Sequence, residues 1–198
     1  MRSSALSFTG LVLAGGRGQR MGGADKGWVD YQGRALIEHV IERLAPQVDS
    51  LLISANRNVE RYGALADTIT DDNAGLHIEK FAGPMLGVLA GLRRAQTDWI
   101  AIVPCDSPQF PLELVQRLAQ GANAERAPAA YVRAGGVMQP LFAIIQTTTA
   151  ESLAQSIRDG ERAMHRWLAA LPAVAIDFDD TDAFVNINQL PTSSTRAA

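Results

Sequence analysis

The sequence lacks several features that would place it in a particular class of protein. It contains a single cysteine, Cys105, which excludes an internal disulfide framework and a zinc site built from several cysteines. No run approaches the roughly 18 to 20 apolar residues that a membrane-spanning helix needs. The net charge of -3 gives no general reason to expect nucleic-acid binding. We therefore expect a cytoplasmic protein with neither a membrane nor a nucleic acid as its partner.

The length and the start of the chain are typical of one globular domain. The 198 residues are 47% apolar and 20% charged, and we treat residues 1–198 as a single domain. The apolar residues 6–14 run directly into a glycine-rich loop rather than into a small-residue cleavage site. They are therefore predicted to form a first strand and not a signal peptide.

Short apolar segments alternate with segments of helical periodicity along most of the chain. Strands are predicted at residues 6–14, 50–55, 66–70, 99–103, 129–134, 140–146, 173–178 and 183–187. Helices are predicted at 36–44 (closed by Pro46), at 85–92, from Pro111 onward, and twice within 149–170 with a break near Gly160. This alternation predicts an α/β fold, with a mostly parallel doubly wound sheet between two layers of helices. Ligands of such sheets bind beyond the carboxyl ends of the strands.

Residues 15–27 form a glycine-rich loop directly after the first predicted strand. Glycines allow backbone amides to approach a phosphate closely, and Arg17, Arg20 and Lys26 add positive charge. The loop matches neither of two common phosphate-binding motifs, because Gly27 follows Lys26 where GxxxxGK[ST] needs Ser or Thr, and Met21 breaks the GxGxxG spacing. Composition alone leaves a solvated surface loop as an equal alternative. The position after a buried strand favours triphosphate binding.

Asp106 ends the segment WIAIVPCD, whose first five residues, 99–103, are the most continuously apolar predicted strand. A strand buried on both faces would deliver this carboxylate to the ligand edge of the sheet. Mg²⁺ is usually held by one or two protein carboxylates together with substrate phosphates and water, so a single aspartate is sufficient. Asp106 is therefore the candidate metal ligand. The alternative is an aspartate that begins the turn before Pro111.

Other polar residues also follow predicted strands. Asn56 comes after the 50–55 strand, and Asp71 and Asp72 come after the 66–70 strand. The side chain of Asn56 could contact a base or ribose, but considered alone it is more typical of a helix N-cap. Asp71 and Asp72 are typical of a turn.

Two later segments are candidates for the same site. Gly83 and Gly87 flank a loop-to-helix junction, where a glycine bend before a helix exposes backbone donors. Asn186 and Asn188 share one side of an extended segment, facing either a ligand or solvent. The histidines, at positions 39, 77 and 165, show no metal-ligand spacing, and Cys105 is expected to be a small buried residue without a nucleophilic role.

Together, several of these segments resemble the molybdenum cofactor guanylyltransferases. The signature loop LAGGxxxRMGxxK of that family is similar to Leu13–Gly16, Arg20–Gly22 and Asp25–Gly27. The segment Gly83–Gly87 resembles the family's GPLAG, with Met-Leu in place of Leu-Ala, and Phe184–Asn188 resembles its FVNxN. The resemblance covers about residues 10–190.

This resemblance implies a Rossmann-like nucleotidyltransferase fold and a Mg²⁺-dependent reaction. GMP would be transferred from GTP to the terminal phosphate of molybdopterin or of the molybdenum cofactor, with release of pyrophosphate. Relatives that use CTP usually carry LAAG at the first loop, so Gly16 favours guanine. A molybdoenzyme or its chaperone is implied as a further partner. The alternatives are a cytidylyltransferase or sugar-phosphate nucleotidyltransferase of the same fold, and a non-catalytic GTP-binding protein.

The residues to which the resemblance assigns a role fall into three groups. The catalytic group is Lys26, Arg20 and Asp106, with Asp106 also the metal ligand. The GTP-binding group is Leu13, Ala14, Gly15, Gly16, Gly22, Lys26, Asn56, Asp71, Gly83, Gly87 and Asp106, with Asp72 as the alternative to Asp71. The acceptor group is Asn186 and Asn188. Residues of about 8–110 are expected to bind GTP, and residues of about 111–190 to complete the acceptor site.

Overall fold

A seven-stranded sheet lies where the apolar segments of the sequence predict it. The computed structural model describes residues 6–15, 25–76 and 83–187. The strands are β1 (Phe8–Leu13), β2 (Asp30–Tyr31), β3 (Arg34–Ala35), β4 (Ser50–Ser54), β5 (Asp67–Ile69), β6 (Trp99–Pro104), β7 (Ala129–Ala134), β8 (Val137–Gln146) and β9 (Val174–Phe178). The helices are α1 (Leu36–Leu44), α2 (Val59–Gly63), α3 (Pro84–Arg94), α4 (Leu114–Glu125), α5 (Ala150–Arg158) and α6 (Met164–Ala170).

The central sheet has the strand order β5-β4-β1-β6-β8-β7-β9. Strand β1 pairs in parallel with β4 and β6, β4 with β5, and β7 with β9. Strand β8 pairs antiparallel with both of its neighbours, so it alone among the described strands of this sheet runs against the others. The predicted mostly parallel sheet is confirmed.

Helices cover both faces of this sheet, as the predicted three-layer architecture requires. On one face, α1 and α4 bury Val40 and Leu118 in a core shared with the strands. On the opposite face, α3, α5 and α6 bury Leu89, Leu153 and Trp167 in a second core. Within the described part of the chain, no helix combines the length and the apolar character needed to cross a membrane.

Strand β6 lies between these two cores, which explains its continuous apolar sequence. Ala101 and Val103 face the core under α1 and α4, whereas Ile100 and Ile102 face the core under α3, α5 and α6. Side chains alternate between the two faces of a strand, so a strand covered on both faces must be apolar at every position. Every residue of β6 is buried. Because β6 is fully buried, the position of its last residue, Pro104, is fixed. Asp106 lies two residues further along the chain.

Two hairpin turns in the fold use two-residue loops with positive φ angles. Gly135 and Gly136, which lie between the predicted strands at 129–134 and 140–146, join β7 to β8 with φ angles of 55° and 78°. Gln32 and Gly33, with φ angles of 53° and 85°, join β2 to β3 in a small separate hairpin that was not predicted. Turns of this kind match the right-handed twist of the strands. Strands of two residues are too short to show a period in the sequence.

The helix predicted to begin at Pro111 begins three residues later. The Leu114 amide donates to the Pro111 carbonyl at 3.2 Å, closing a turn, and α4 starts at Leu114. Leu112 is 59% exposed and lies outside the helix. Proline favours the first turn of a helix, but here Pro111 occupies the first position of a β-turn that precedes the helix.

The late strand predicted at residues 183–187 is replaced by a turn. Residues Asp182–Phe184 form a 3₁₀ helix, and the carboxylate of Asp180 accepts hydrogen bonds from the amides of Asp182 and Ala183 at 3.1 and 3.2 Å. Phe184 is buried in edge-to-face contact with Phe142 and Phe178. The alternating pattern therefore reflects a single aromatic side chain directed into the core and not a strand.

Candidate active site

The connections between strands create a crevice at one edge of the sheet. The chain passes from β1 to β4 and β5 on one side, then crosses back to β6 on the other side of β1. A crevice therefore opens between the carboxyl ends of β1 and β6, where the strand order reverses and α/β proteins commonly bind ligands. A cavity of about 360 Å³ lies there, within the size range of small-molecule sites.

All of the predicted site residues that the structure describes line this cavity. They are Leu13, Ala14, Gly15, Lys26, Asn56, Asp71, Gly83, Gly87, Asp106 and Asn186. Gly16, Arg20, Gly22 and Asn188 lie outside the described residues. The lining also includes residues that sequence reasoning did not select: Ser54, Pro84, Pro104, Cys105 and Leu141.

A larger and more open groove of about 780 Å³ lies at the opposite edge of the sheet. It is lined by Phe8 at the start of β1, by the 46–49 segment before β4, and by one side of α4. None of the predicted site residues that the structure describes lines this groove. We assign the functional site to the smaller cavity because the polar ends of four parallel strands meet only at that edge.

The centre of the cavity holds an ion pair between Lys26 and Asp106. The Lys26 Nζ atom lies 2.7 Å from Asp106 Oδ2, although the two residues are 80 positions apart. The Asp106 side chain is 8% exposed and the Lys26 side chain 28%. A carboxylate this deeply buried needs a compensating charge, and Lys26 supplies it. The pair brings the end of the glycine-rich loop onto the end of β6.

The carboxylate of Asp106 suits the Mg²⁺ ion that the sequence led us to expect. It lies just beyond the end of a buried strand, on the wall of the cavity at the carboxyl edge of the sheet. Residues 6–15, 25–76 and 83–187 contain no group of three or more His, Cys, Asp or Glu side chains that could hold a metal by itself. That arrangement is compatible with Mg²⁺, which takes one or two protein carboxylates and fills its remaining positions with phosphate oxygens and water.

Asn56 links the ends of two neighbouring strands. Its Oδ1 atom accepts a hydrogen bond of 2.8 Å from the Asp71 amide, which ties the end of β4 to the end of β5. Its Nδ2 atom faces Gly15, where a Cβ atom would lie 3.2 Å away. The alternative role of an N-cap belongs instead to Asn58, which precedes α2. The amide of Asn56 is therefore directed to the cavity.

The neighbouring residues Asp71 and Asp72 differ in their exposure and in their position relative to the cavity. Asp71 is 6% exposed and lines the cavity, whereas Asp72 is exposed and is not part of the lining. Both belong to a 3₁₀ turn, Asp71–Ala74, so the turn expected from the sequence is also present. This geometry favours Asp71 as the ligand contact.

The amino terminus of α3 forms one wall of the cavity. Gly83 precedes the helix with a φ of 91°, a conformation that side chains rarely adopt, and Pro84 occupies the first helical position. The unpaired amides of a helix start carry partial positive charge and suit an anionic or oxygen-rich ligand.

Gly87 allows α3 to pack closely against the sheet. A Cβ atom at this position would overlap the Oγ atom of Ser54 and lie 3.4 Å from Leu13. One turn further on, a Cβ atom at Gly91 would lie 2.6 Å from the Leu11 side chain. The two glycines, four residues apart and therefore on one face of α3, let β1 and β4 approach the helix backbone.

The C-terminal segment reaches the cavity through Asn186. Its Oδ1 atom accepts a hydrogen bond of 2.7 Å from the hydroxyl of Ser107, which is fully buried. The Ile187 amide donates to the Asp106 carbonyl at 2.7 Å. Residues 186 and 187 are therefore docked on the loop that carries the candidate metal ligand, although they form no strand.

Cys105 lies between Pro104 and Asp106 on the cavity wall. Burial, and secondarily the neighbouring Asp106 carboxylate, raise the pKa of its thiol far above the ordinary value. Only the thiolate is a strong nucleophile, so a raised pKa leaves the thiol protonated and inert at neutral and mildly alkaline pH. This agrees with the small buried residue predicted from the sequence.

We expect this thiol to resist alkylation in the folded protein. At pH 8, iodoacetamide should modify the native protein at least about a hundred-fold more slowly than the protein unfolded in urea, because burial suppresses both thiolate formation and access. Mass spectrometry of the intact chain measures the rate, and Cys105 is the only cysteine in the sequence. Equal rates in the two states would contradict the buried, protonated thiol.

The class of the protein follows from comparison of this fold and sequence with known families. Residues 10–174 match the family model described as the MobA-like NTP transferase domain. The solved structure of molybdopterin-guanine dinucleotide biosynthesis protein A from Archaeoglobus fulgidus superposes with a TM-score of 0.73, at 26% identity, over 91% of this chain and 92% of that one. The fold is thus that of a nucleotidyltransferase.

Sequence identity to individual proteins identifies the family within the class of nucleotidyltransferases. The molybdenum cofactor guanylyltransferase of Bordetella petrii is 43% identical over 92% of this chain and 93% of its own length. That of Pasteurella multocida is 40% identical over 93% of this chain and 96% of its own length. The chain belongs to the family of molybdenum cofactor guanylyltransferases.

Proposed function

We propose that this protein transfers GMP from GTP to the terminal phosphate of molybdopterin, or of its molybdenum-loaded form, and releases pyrophosphate. The observation that carries the proposal is the convergence of ten predicted residues on one cavity, with Lys26 and Asp106 paired at its centre. The family membership supports the choice of GTP and of a molybdopterin acceptor.

The reaction requires alignment and charge neutralisation more than proton transfer. A phosphate oxygen of the acceptor attacks the α-phosphorus of GTP, and the bond from that phosphorus to the oxygen that bridges it to the β-phosphorus breaks. The electron pair leaves with pyrophosphate. A phosphate monoester is already anionic near neutral pH, so no general base is needed. This agrees with a cavity whose described lining contains no histidine.

The cavity residues divide these tasks among themselves. Lys26 neutralises negative charge on the phosphates and on the departing pyrophosphate. Leu13, Ala14 and Gly15 bring backbone groups to the nucleotide, and Asn56 and Asp71 orient the nucleoside. Asp106 would hold Mg²⁺, which when bound supplies positive charge to the phosphate oxygens.

The remaining predicted residues complete the proposal. Arg20, Gly16 and Gly22 belong to the glycine-rich loop and are proposed to bind the triphosphate together with Lys26. Asn186, and with it Asn188, is proposed to face the acceptor, because the segment ends beside Ser107 and Asp106. Transfer of the product to a molybdoenzyme or its chaperone, in the cytoplasm, is part of the same proposal.

A nucleotide panel tests the reaction. Pyrophosphate release is measured from GTP, CTP, ATP and UTP with Mg²⁺, with and without molybdopterin. We expect release from GTP that depends on molybdopterin. Release from CTP alone would identify a cytidylyltransferase of the same fold. GTP binding without release, even with sugar phosphates as acceptors, would support a non-catalytic GTP-binding protein.

Replacement of Lys26 by alanine should weaken GTP binding by about 10- to 100-fold, because a hydrogen bond to a charged group contributes about 1.5–3 kcal/mol. Calorimetric titration measures the dissociation constant. The matched control is Arg94→Ala, which removes a cation from an exposed ion pair with Asp67 at the far end of α3. Equal affinities of the Lys26→Ala and wild-type proteins for GTP would remove Lys26 from the phosphate site.

A further inference from the structure

Asp25, the residue before Lys26, accepts hydrogen bonds at both of its carboxylate oxygens. The donors are Tyr62, in α2, and Asn58, the residue that precedes α2. Asp25 Oδ1 accepts a hydrogen bond of 2.5 Å from the Tyr62 hydroxyl. Asp25 Oδ2 accepts one of 2.9 Å from Asn58 Nδ2. These partners lie 37 and 33 positions away in the sequence. Two bonds from one structural unit fix both the position and the rotation of the carboxylate.

The residue after Lys26 is held against the same tyrosine. A Cβ atom at Gly27 would lie 2.5 Å from the Tyr62 hydroxyl, so the backbone there packs directly on that group. The Gly27 amide also donates to Asp25 Oδ1 at 3.3 Å, which closes the local turn. The Lys26 backbone is therefore fixed on both sides by the same Tyr62–Asp25 contact.

Trp28 extends the same contact. Its ring lies 5.0 Å from the Tyr62 ring, and the guanidinium of Arg61 lies 3.6 Å above it. A cation over an indole face is favourable. Residues 25–28 thus pack against one side of α2. Asp25 accepts a hydrogen bond from Tyr62, the Gly27 backbone lies close to the Tyr62 hydroxyl, and the Trp28 ring contacts the Tyr62 ring.

The hydrogen bond between Tyr62 and Asp25 has a fixed direction. Tyr62 is fully buried, and burial followed by the bond to Asp25 raises the pKa of its hydroxyl far above the ordinary value. The hydroxyl therefore stays protonated and donates, and the Asp25 carboxylate accepts. Asp25 performs no chemistry in this arrangement, and it is not among the residues that line the cavity.

We infer that Asp25 is a positioning residue for the transfer reaction: held by Tyr62 and Asn58, it sets the backbone of Lys26 so that the ammonium group reaches the phosphates beside Asp106. The inference rests on the proposed phosphate-binding role of Lys26. The same contact joins two parts of the site, because Asn58 lies two residues beyond Asn56. The nucleoside contact and the phosphate contact are thereby held at a fixed separation.

The test combines two substitutions that keep side-chain shape. Asp25→Asn removes the negative charge, and Tyr62→Phe removes the donated bond but keeps the ring against Trp28. We expect each to weaken GTP binding by about tenfold, as the loss of a charge-assisted hydrogen bond predicts. Matched controls are Asp30→Asn, on the exposed strand β2, and Tyr131→Phe, on β7, and both should bind GTP as the wild type does.

A double-mutant cycle separates positioning from a general loss of structure. In a Lys26→Ala background, Asp25→Asn should weaken GTP binding by less than about twofold, because the group that it positions is already gone. An unchanged tenfold loss in that background would overturn the inference, since Asp25 would then act through something other than Lys26. Thermal unfolding of each variant shows whether a change reflects global stability.

Hydrogen–deuterium exchange tests the contact without any substrate. The peptide that covers residues 25–28 should exchange at least about tenfold faster in Asp25→Asn than in the wild type or in Asp30→Asn. Unchanged exchange would overturn the inference even if GTP binding falls. If Lys26→Ala leaves GTP binding intact, the proposed role of Lys26 fails, and the exchange rates then decide by themselves whether Asp25 holds the segment.

Discussion

Replacement of Asp106 by asparagine should lower the rate of GMP transfer by about a thousand-fold. A bound divalent metal contributes several kcal/mol of transition-state charge stabilisation, and each 1.36 kcal/mol corresponds to about tenfold in rate. Asparagine keeps the size of the side chain and one oxygen but removes the charge that pairs with Lys26 and that is proposed to hold Mg²⁺. Asp106 is 6% exposed on the cavity wall, so the loss of charge acts at a site largely shielded from water.

The measurement is pyrophosphate release at saturating GTP and molybdopterin, together with thermal unfolding. The matched control is Asp98, an exposed residue directly before the first residue of β6. It lies at the opposite edge of the sheet from the cavity. Asp98→Asn should retain wild-type turnover. Near-normal turnover of a folded Asp106→Asn protein would rule out Asp106 as the metal ligand.

Replacement of Gly87 by alanine should lower the free energy of unfolding by about 1–3 kcal/mol, the range found when a methyl group is forced into a packed interior. Alanine is favoured over glycine by about 1 kcal/mol within a helix, so helix propensity alone predicts the opposite sign. The loss arises because the new Cβ atom would overlap Ser54 Oγ, and Ser54 is only 2% exposed, at the buried end of β4. The start of α3 would also shift at the cavity, so GTP binding should weaken as well.

A second substitution identifies the cause of that loss. Ser54→Ala removes the overlapping oxygen, after which the nearest side-chain atoms are the Cβ of residue 54 at 3.3 Å and Leu13 Cδ2 at 3.4 Å. Ser54→Ala combined with Gly87→Ala should therefore recover most of the lost stability. Gly91→Ala, which meets Leu11 instead, should be destabilising but should not be rescued by Ser54→Ala. Urea denaturation measures the three single variants and the two double variants, and a lack of rescue of Gly87→Ala would show that the overlap is not the cause.

The sequence was sufficient to predict the sheet because its strands are buried on both faces. A strand such as β6 must be apolar at every position, and that pattern stands out without knowledge of its neighbours. The position of the cavity followed from the same argument, since Asp106, Asn56 and Asp71 were selected because they follow predicted strands. Lys26 was selected for its charge at the end of the glycine-rich loop that follows β1. Asn56 was selected over its role as a helix cap only through the family resemblance.

The wrong predictions concern segments whose local sequence pattern is compatible with two different structures. The alternating residues 183–187 fit a strand, but the Asp180 carboxylate caps a turn there, and Phe184 is the side chain that enters the core. Pro111 fits a helix start as well as a turn, and the turn is formed. The contact of Asp25 with Tyr62 spans 37 residues and involves a helix of five residues, too short to show a period.

Strand β8, which is antiparallel to both of its neighbours in the central sheet, makes the two sides of the cavity different in their strand arrangement. Because β8 runs against β6, it begins at the cavity edge, and its register with β7 shifts between Tyr131 and Val132. Leu141 reaches the cavity from this strand, and the β7–β8 hairpin turns at Gly135-Gly136, next to Val137, which is 61% exposed. The side of the cavity that is proposed to bind the nucleotide is made of parallel strand ends, whereas the other side is bordered by an antiparallel hairpin whose outer strand, β7, pairs along its length with β9. Insertions or deletions at the hairpin turn would therefore alter the shape of the side that is proposed to face the acceptor, while leaving the parallel strand ends in place.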